Sequence, residues 1–277
     1  MNKQAIPLFK ALTIAGSDSI GGAGIQADMK TIAALGGYAA TAITALTAQN
    51  TLGVHAVYEI PASFVARQID AVVSDTGADI VKTGMLYSKD IIETVAPGST
   101  LCAFTCCRRS RHAVKKWSGT IGRRCHSGLD LSIVSLGFHR YAKYSGSRTY
   151  FGHKNSKYHR CRKGCKIHTQ TRPANVLIKG GHALHSSDIK SSNTVIDILY
   201  TGKSFAYIEG EYLPAKHVHG TGCVYASAIA AYLAKGCGIA EAVRQAKKFV
   251  VLCIKKSFSP GRGYDVMEPF STLAPYQ

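Results

Sequence analysis

Apolar positions along the first hundred residues change period in a regular way. Residues 11–15 (Ala-Leu-Thr-Ile-Ala) form a short, largely apolar run, which predicts a buried strand ended by Gly16-Ser17-Asp18. Past Gly21-Gly22-Ala23-Gly24 the spacing turns helical, with Ile25, Met29, Ile32 and Leu35 on one face and Gly36-Gly37 as the stop. Residues 38–48, rich in Thr, Ala and Ile, read as a strand, 62–73 as a helix, and Ile80-Val81 opens a strand running into Lys82-Thr83-Gly84-Met85. The same alternation returns near the C-terminus. Residues 175–178 read as a strand closed by Lys179-Gly180-Gly181-His182, and 195–200 and 204–208 as two strands joined at Thr201-Gly202-Lys203. Residues 224–234 and 239–254 then give two helices separated by Gly236-Cys237-Gly238. Strands alternating with helices predict parallel pairing in a layered α/β fold.

The stretch from 99 to 172 breaks this pattern. Neither period persists there, residues 129–136 being its main apolar island, and so long a structureless stretch is unusual inside a compact domain. The same window holds 17 of the 34 Lys and Arg, one acid (Asp130), six of nine cysteines, six of eleven histidines and the only tryptophan, Trp117. A net charge of +18 ordinarily suggests a nucleic-acid or anionic-membrane partner. Here nearly all of it lies in this one window, the other 203 residues balancing to +2, so the charge marks two compositional populations and not a binding face. At 277 residues with 46% apolar content, the chain suits one large α/β domain or two small ones and argues against global disorder. No apolar run reaches about 18 residues, and the first ten residues do not form a secretory signal. The expected setting is therefore the cytoplasm, without a membrane partner.

The strongest chemical candidate is His219-Gly220-Thr221-Gly222-Cys223, directly before a helix. Two glycines let the backbone turn so that several amides converge at the positive end of the helix dipole, a geometry that stabilises an anion such as a phosphoryl group in transit. Cys223 falls at the helix start, where its thiolate is favoured and it can serve as a base; the plainer reading is a glycine-rich loop with a packed cysteine. Residues 16–28 join a strand to a helix, where α/β folds place ligands, but carry neither a Walker A ending nor a convincing dinucleotide fingerprint. Taken singly, Asp18 reads as a turn starter and Asp28 as a solvated helix residue. Lys179, at a strand end, either reaches a nucleotide phosphate or lies in solvent. Gln49 offers an amide for reading a base edge, and Met85 a thioether for packing on a ring or within a core.

In order along the chain stand Ala-Leu-Thr-Ile-Ala-Gly-Ser-Asp-Ser-x-Gly-Gly-Ala-Gly-Ile-Gln-Ala-Asp (11–28), Ile-Thr-Ala-Leu-Thr-Ala-Gln-Asn-Thr (43–51), Lys-Thr-Gly-Met-Leu (82–86), Ile-Lys-Gly-Gly-His (178–182) and His-Gly-Thr-Gly-Cys (219–223). This set resembles the hydroxymethylpyrimidine/phosphomethylpyrimidine kinases of the ribokinase-like superfamily, over residues 11–98 and 174–270. The resemblance implies a single domain with a central, mostly parallel sheet flanked by helices on both faces, ATP and Mg²⁺ as cofactors, and a homodimer. It also implies phosphorylation of a pyrimidine hydroxymethyl group and then of the monophosphate, in thiamine synthesis. By motif, Gly16, Asp28, Gln49 and Met85 would contact the pyrimidine and Thr47 would line the same pocket. Gly220, Thr221 and Gly222 would form an anion hole, Cys223 would be the catalytic base, and Lys179 would fall on the nucleotide side. No residue is assigned as a metal ligand. Ile20 stands where the family usually has serine. Pyridoxal kinases of the same superfamily are the neighbouring alternative, since both rings carry a hydroxymethyl group.

Residues 99–172 lack the family's strand ending in Val-Asp-Pro-Val-Met, its Lys-Ser-Gly loop and its Thr-Pro-Asn-x-x-Glu-Ala segment. Back-translating residues 138–148 one base later permits Phe-Ile-Val-Thr-Pro-Asn-Ile-Pro-Glu-Ala, and the same shift over 119–127 permits Ala-Pro-Leu-Glu-Glu-Asp-Ala-Ile. One shift in one direction thus accounts for both segments and for the charge. The expectation is a compensated frameshift, in the gene or in its reading, closing near Arg172-Pro173. A separate possibility is that the chain as written is a non-functional product that lacks central strands. The rival reading is a basic module binding zinc through Cys161, Cys165, His159 and His168, or through Cys106, Cys107 and His112, and gripping nucleic acid. A lone C-x-x-x-C spacing matches no zinc-finger pattern well.

Overall fold

In the computed structural model, residues 9–98, 103–107, 131–135, 175–180, 194–213 and 218–272 are described. The first strand, β1 (Lys10–Asp18), shows how the sequence builds two cores. Successive side chains of a strand point to opposite faces. Leu12 and Ile14 join Val65, Ile91 and Val95 from α2 (Ala62–Asp75) and α3 (Lys89–Gly98) on one side. Ala11 faces the other, in a core cluster shared with residues of α1 (Gly24–Ala34), α4 (Thr221–Ala234) and α5 (Ile239–Lys255). A strand covered on both faces has no solvated side, which is why 11–15 carries no apolar–polar alternation.

Nine strands form one sheet in the order β3-β2-β1-β4-β5-β6-β7-β8-β9. They are β2 (Tyr38–Asn50), β3 (Gly53–Glu59), β4 (Ile80–Thr83), β5 (Ala103–Cys107), β6 (Leu131–Ser135), β7 (Asn175–Lys179), β8 (Thr194–Tyr200) and β9 (Phe205–Glu211). Pairing is parallel from β2 through β7 and antiparallel at the edges, β3 on β2 and β8–β9 beyond β7. This is the expected mostly parallel sheet with helices on both faces. The predicted turn at Thr201-Gly202-Lys203 joins β8 to β9, with the Thr201 amide donating to the Ser204 carbonyl at 3.0 Å.

Two findings correct the sequence reading, and a third adds to it. The anomalous segment does not leave the sheet without central strands. Ala103–Cys107 and Leu131–Ser135 bridge β4 to β7 by parallel ladders, and the second of them lies within the 129–136 apolar island. Met29 lies on the solvent side of α1, 41% exposed, because the buried face runs through Ile25, Asp28, Thr31 and Ile32. Beyond α5, the C-terminal stretch returns across the sheet edge. There β11 (Asp265–Val266) pairs with β10 (Val218–His219), and Tyr264 N–H donates to the Thr51 carbonyl at 2.9 Å.

α4 is buried along eight consecutive residues, Val224 to Ala231, with alanine at four of them. A helix apolar on every side belongs at the centre of a molecule. That position sets its N-terminus against the ligand edge of the sheet. Among the described residues no helix is long and apolar enough to cross a membrane.

Candidate active site

The C-terminal ends of β1, β2 and β4 bring four of the sequence candidates together. A Cβ on Gly16 would lie 2.5 Å from the Met85 methyl carbon, so the missing side chain leaves room for the thioether. Met85 is 43% exposed, which excludes a core role, and its carbonyl accepts a 2.7 Å hydrogen bond from Thr44. Thr47 donates its hydroxyl to the Ser17 carbonyl at 2.9 Å. Gln49 is fixed at its backbone, where the Ser19 hydroxyl donates to its carbonyl at 2.7 Å and accepts from its amide at 2.8 Å.

Residues 219–223 close on this edge. Gly220 is the N-cap of α4 in the left-handed region (φ 83), and a Cβ there would stand 1.8 Å from the Gly22 carbonyl oxygen. Gly24 repeats the device at φ 57, its absent Cβ 2.2 Å from the Gly16 carbonyl oxygen. Side chains at either position would drive the two loops apart. The amides of Thr221, Gly222 and Cys223 precede the first hydrogen bond of the helix, from Val224 N–H to the Gly220 carbonyl, and no side chain caps this terminus. Helix-start amides with the dipole behind them suit an anion. Cys223 is in no disulfide and half-buried in the first turn, packed against the core formed by α4 and α5.

His219 links the two halves of the site. Its Nε2 lies 2.9 Å from Gln49 Nε2 and 3.2 Å from Asp18 Oδ2. Asp18 also accepts amide hydrogen bonds from Ile20 at 3.2 Å and Ala23 at 2.8 Å. Burial alone pushes the Asp18 carboxyl up, but the hydrogen bonds from His219, Ile20 and Ala23 outweigh it and hold the group below the usual carboxylate range.

Two candidates stand elsewhere. Asp28 has no accessible surface and is neither a solvated helix residue nor open to a ligand in this conformation. Its oxygens accept from Lys82 Nζ at 2.7 and 2.8 Å, Thr13 Oγ1 at 2.6 Å and Ser227 Oγ at 2.8 Å. The residue thus fastens α1, β1, β4 and α4 together behind the site. Lys179, half-buried at the end of β7, holds its ammonium 5.5 Å from the Tyr225 ring centre on α4. Tyr225 belongs to a second buried node at Asp197, which accepts from Gly180 N–H (2.7 Å), Tyr225 OH (2.9 Å) and Lys247 Nζ (2.8 Å). Burial and the adjacent Asp197 carboxylate push the Tyr225 hydroxyl well above the usual phenol range.

Sequence reasoning missed the partnerships of His219 with Gln49, Lys82 with Asp28, and Lys247 with Asp197. A signal existed for two of them: a lysine within the apolar run of β4 and an aspartate within β8 each require a buried partner of opposite charge. Cys161, Cys165, His159, His168 and His112 lie outside the described residues, as do the side chains of Cys106 and Cys107. Among the described residues no group of three metal-ligating side chains converges.

The family profile of phosphomethylpyrimidine kinases matches residues 18–105 and 151–268, so the unmatched stretch is narrower than the change in composition suggests. The hydroxymethylpyrimidine/phosphomethylpyrimidine kinase of Bacillus subtilis is 36% identical over 265 residues, covering 95% of this chain and 96% of that protein. A thiamine biosynthesis bifunctional protein of Geobacter sulfurreducens is 38% identical over 270 residues; the chain spans 53% of its length. Among solved structures, a Staphylococcus aureus pyridoxal kinase in complex with AMP-PCP and pyridoxal superposes with a TM-score of 0.76 at 28% identity, covering 95% of this chain and 93% of that one. With the profile matching more than half of the chain and a relative 36% identical over 95% of it, the chain belongs to the phosphomethylpyrimidine kinase family.

Proposed function

We propose that this chain transfers a phosphoryl group from ATP to the hydroxymethyl oxygen of 4-amino-5-hydroxymethyl-2-methylpyrimidine and then to its monophosphate, in thiamine synthesis. The observation carrying this reading is the meeting of the 219–223 helix start with Gly16, Thr47, Gln49 and Met85 at one strand edge in a chain of this family. Gly16 and Met85 bound the ring, and Gln49 reads its edge. Cys223 takes the hydroxyl proton, and the alkoxide oxygen forms the new bond to phosphorus as the bond to the departing ADP oxygen breaks. Gly220, Thr221 and Gly222 face the charge that develops on the phosphoryl oxygens. When bound, ATP would supply the phosphoryl group and Mg²⁺ would neutralise its charge. The uncapped start of α4 suits a phosphate, and Lys179, at the end of β7, offers a cation to the nucleotide side.

A pyridoxal kinase reading draws support from the structural neighbour that holds pyridoxal. A competition assay decides between the two. The chain is given Mg-ATP with equal amounts of hydroxymethylpyrimidine and pyridoxal, and products are followed by phosphorus NMR. The pyrimidine monophosphate is expected first; pyridoxal phosphate forming faster would transfer the function to the second reading, and neither product would contradict both.

The chain further pairs as a homodimer in the cytoplasm, its contact being the exposed apolar pair Leu46 and Tyr58, which face each other across β2 and β3. Residues 99–172 as written arise from a compensated frameshift within one kinase domain. Reading the coding DNA from codon 95 to codon 176 tests this. A base gained or lost near each end is expected, and a second frame unlike the family there would sink the idea.

A further inference from the structure

His219 Nε2 faces two groups at once, Gln49 Nε2 at 2.9 Å and Asp18 Oδ2 at 3.2 Å. A ring nitrogen carries either a proton or a lone pair, so it cannot accept from an amide N–H and donate to a carboxylate together. Asp18 settles the choice. Its carboxylate is acceptor-only when ionised, it already accepts from Ile20 and Ala23, and a lone pair on Nε2 would confront its oxygen without a proton between them. Nε2 therefore bears the proton. The Gln49 amide, whose oxygen and nitrogen ends interchange by a half-turn, must then show its carbonyl oxygen to the ring. The ring itself has little freedom to evade this. The His219 side chain is 16% exposed, its backbone is paired to Val266, and a Cβ at Gly22 would lie 3.1 Å from its Cδ2.

We infer that His219 is a specificity-determining residue. Its Nε2 proton, shared between Asp18 and the Gln49 carbonyl oxygen, turns the Gln49 amino group away from the ring and toward the ligand, where it donates to a ring nitrogen. The Gln49 oxygen keeps a second lone pair for an exocyclic amine. The site then selects a heterocycle presenting an acceptor nitrogen beside an amino donor and disfavours one with a C–H at that ring position. The identity of the ligand rests on the kinase reading; the proton position does not.

Two measurements test it. Nitrogen-15 NMR of the histidine-labelled chain, with His219 assigned from the spectrum of His219→Phe, reports the proton position directly. Nε2 is expected to be protonated when the ring is neutral, and an unprotonated Nε2 would overturn the inference. Substrate affinity is then compared with that of an analogue carrying C–H in place of the ring nitrogen next to the amino group. The wild-type chain is expected to bind the analogue roughly 10-fold or more weakly, since a donor is left unpaired. In His219→Phe, where the amide is released to rotate, that discrimination is expected to shrink to about 3-fold or less. Undiminished discrimination in a folded His219→Phe would also overturn it. A chain inactive on every pyrimidine would refute the kinase reading while the NMR result still decided the tautomer.

Discussion

Asp28 has no accessible surface, and its two carboxylate oxygens hold one lysine and two hydroxyls. Removing one member of a buried ion pair leaves the other charged and unsolvated, which typically costs about 3–5 kcal/mol. Asp28→Asn should therefore lower the urea midpoint by that equivalent with an unchanged slope; a shift under about 1 kcal/mol would show that Lys82 finds another partner. Asp18 gives a pH signature. Its folded value lies below the ordinary 3.8, so its contribution to stability is complete above that value and is lost as pH falls through the lower folded one. Urea midpoints measured from about pH 5 down to about pH 2 should fall through that window, and less steeply in His219→Phe, which removes a hydrogen bond that lowers the Asp18 value. Equal slopes in the two proteins would separate His219 from the Asp18 titration.

The helix start at α4 depends on a conformation only glycine adopts readily. Gly220→Ala would put a methyl group at φ 83 and 1.8 Å from the Gly22 oxygen, so the two loops must part and the amides of 221–223 lose their common direction. Turnover is expected to fall about 100-fold or more while the melting temperature drops only a few degrees, read by steady-state kinetics and calorimetry. Near-normal turnover would mean that these amides do not face developing charge. At this scale the sequence was most legible where spacing and punctuation agree. β1, α1, α4 and α5 were located from apolar runs bounded by glycine, and α2 from helical spacing alone. What escaped had no local signal. Strand β3 is exposed along nearly its whole length and shows no alternation, and β10–β11 is a two-residue pairing between distant segments. Asp28 and Lys82 are 54 residues apart, so their bond exists only once β1, β4 and α1 have packed.

Among the described residues a nine-stranded sheet runs unbroken across the molecule even though its middle segment differs sharply in composition. β5 and β6 come from that segment, and their parallel ladders join β4 to β7, so the two halves that carry the motifs belong to one layered unit. The motifs themselves were legible because each sits where a parallel strand ends, and the fold gathers those ends along one edge. Association is predicted from the exposed apolar pair Leu46 and Tyr58 on β2 and β3: Tyr58→Lys should convert a dimer to a monomer in sedimentation equilibrium, whereas an unchanged mass would place the contact elsewhere. The central claim is that the start of α4 performs phosphoryl transfer to an aminopyrimidine, and Cys223→Ala tests it most directly. ADP formation dependent on hydroxymethylpyrimidine should fall about 100- to 10,000-fold from the wild-type rate, with pyrimidine affinity changed less than about 3-fold. Equal rates in the two proteins would contradict the account.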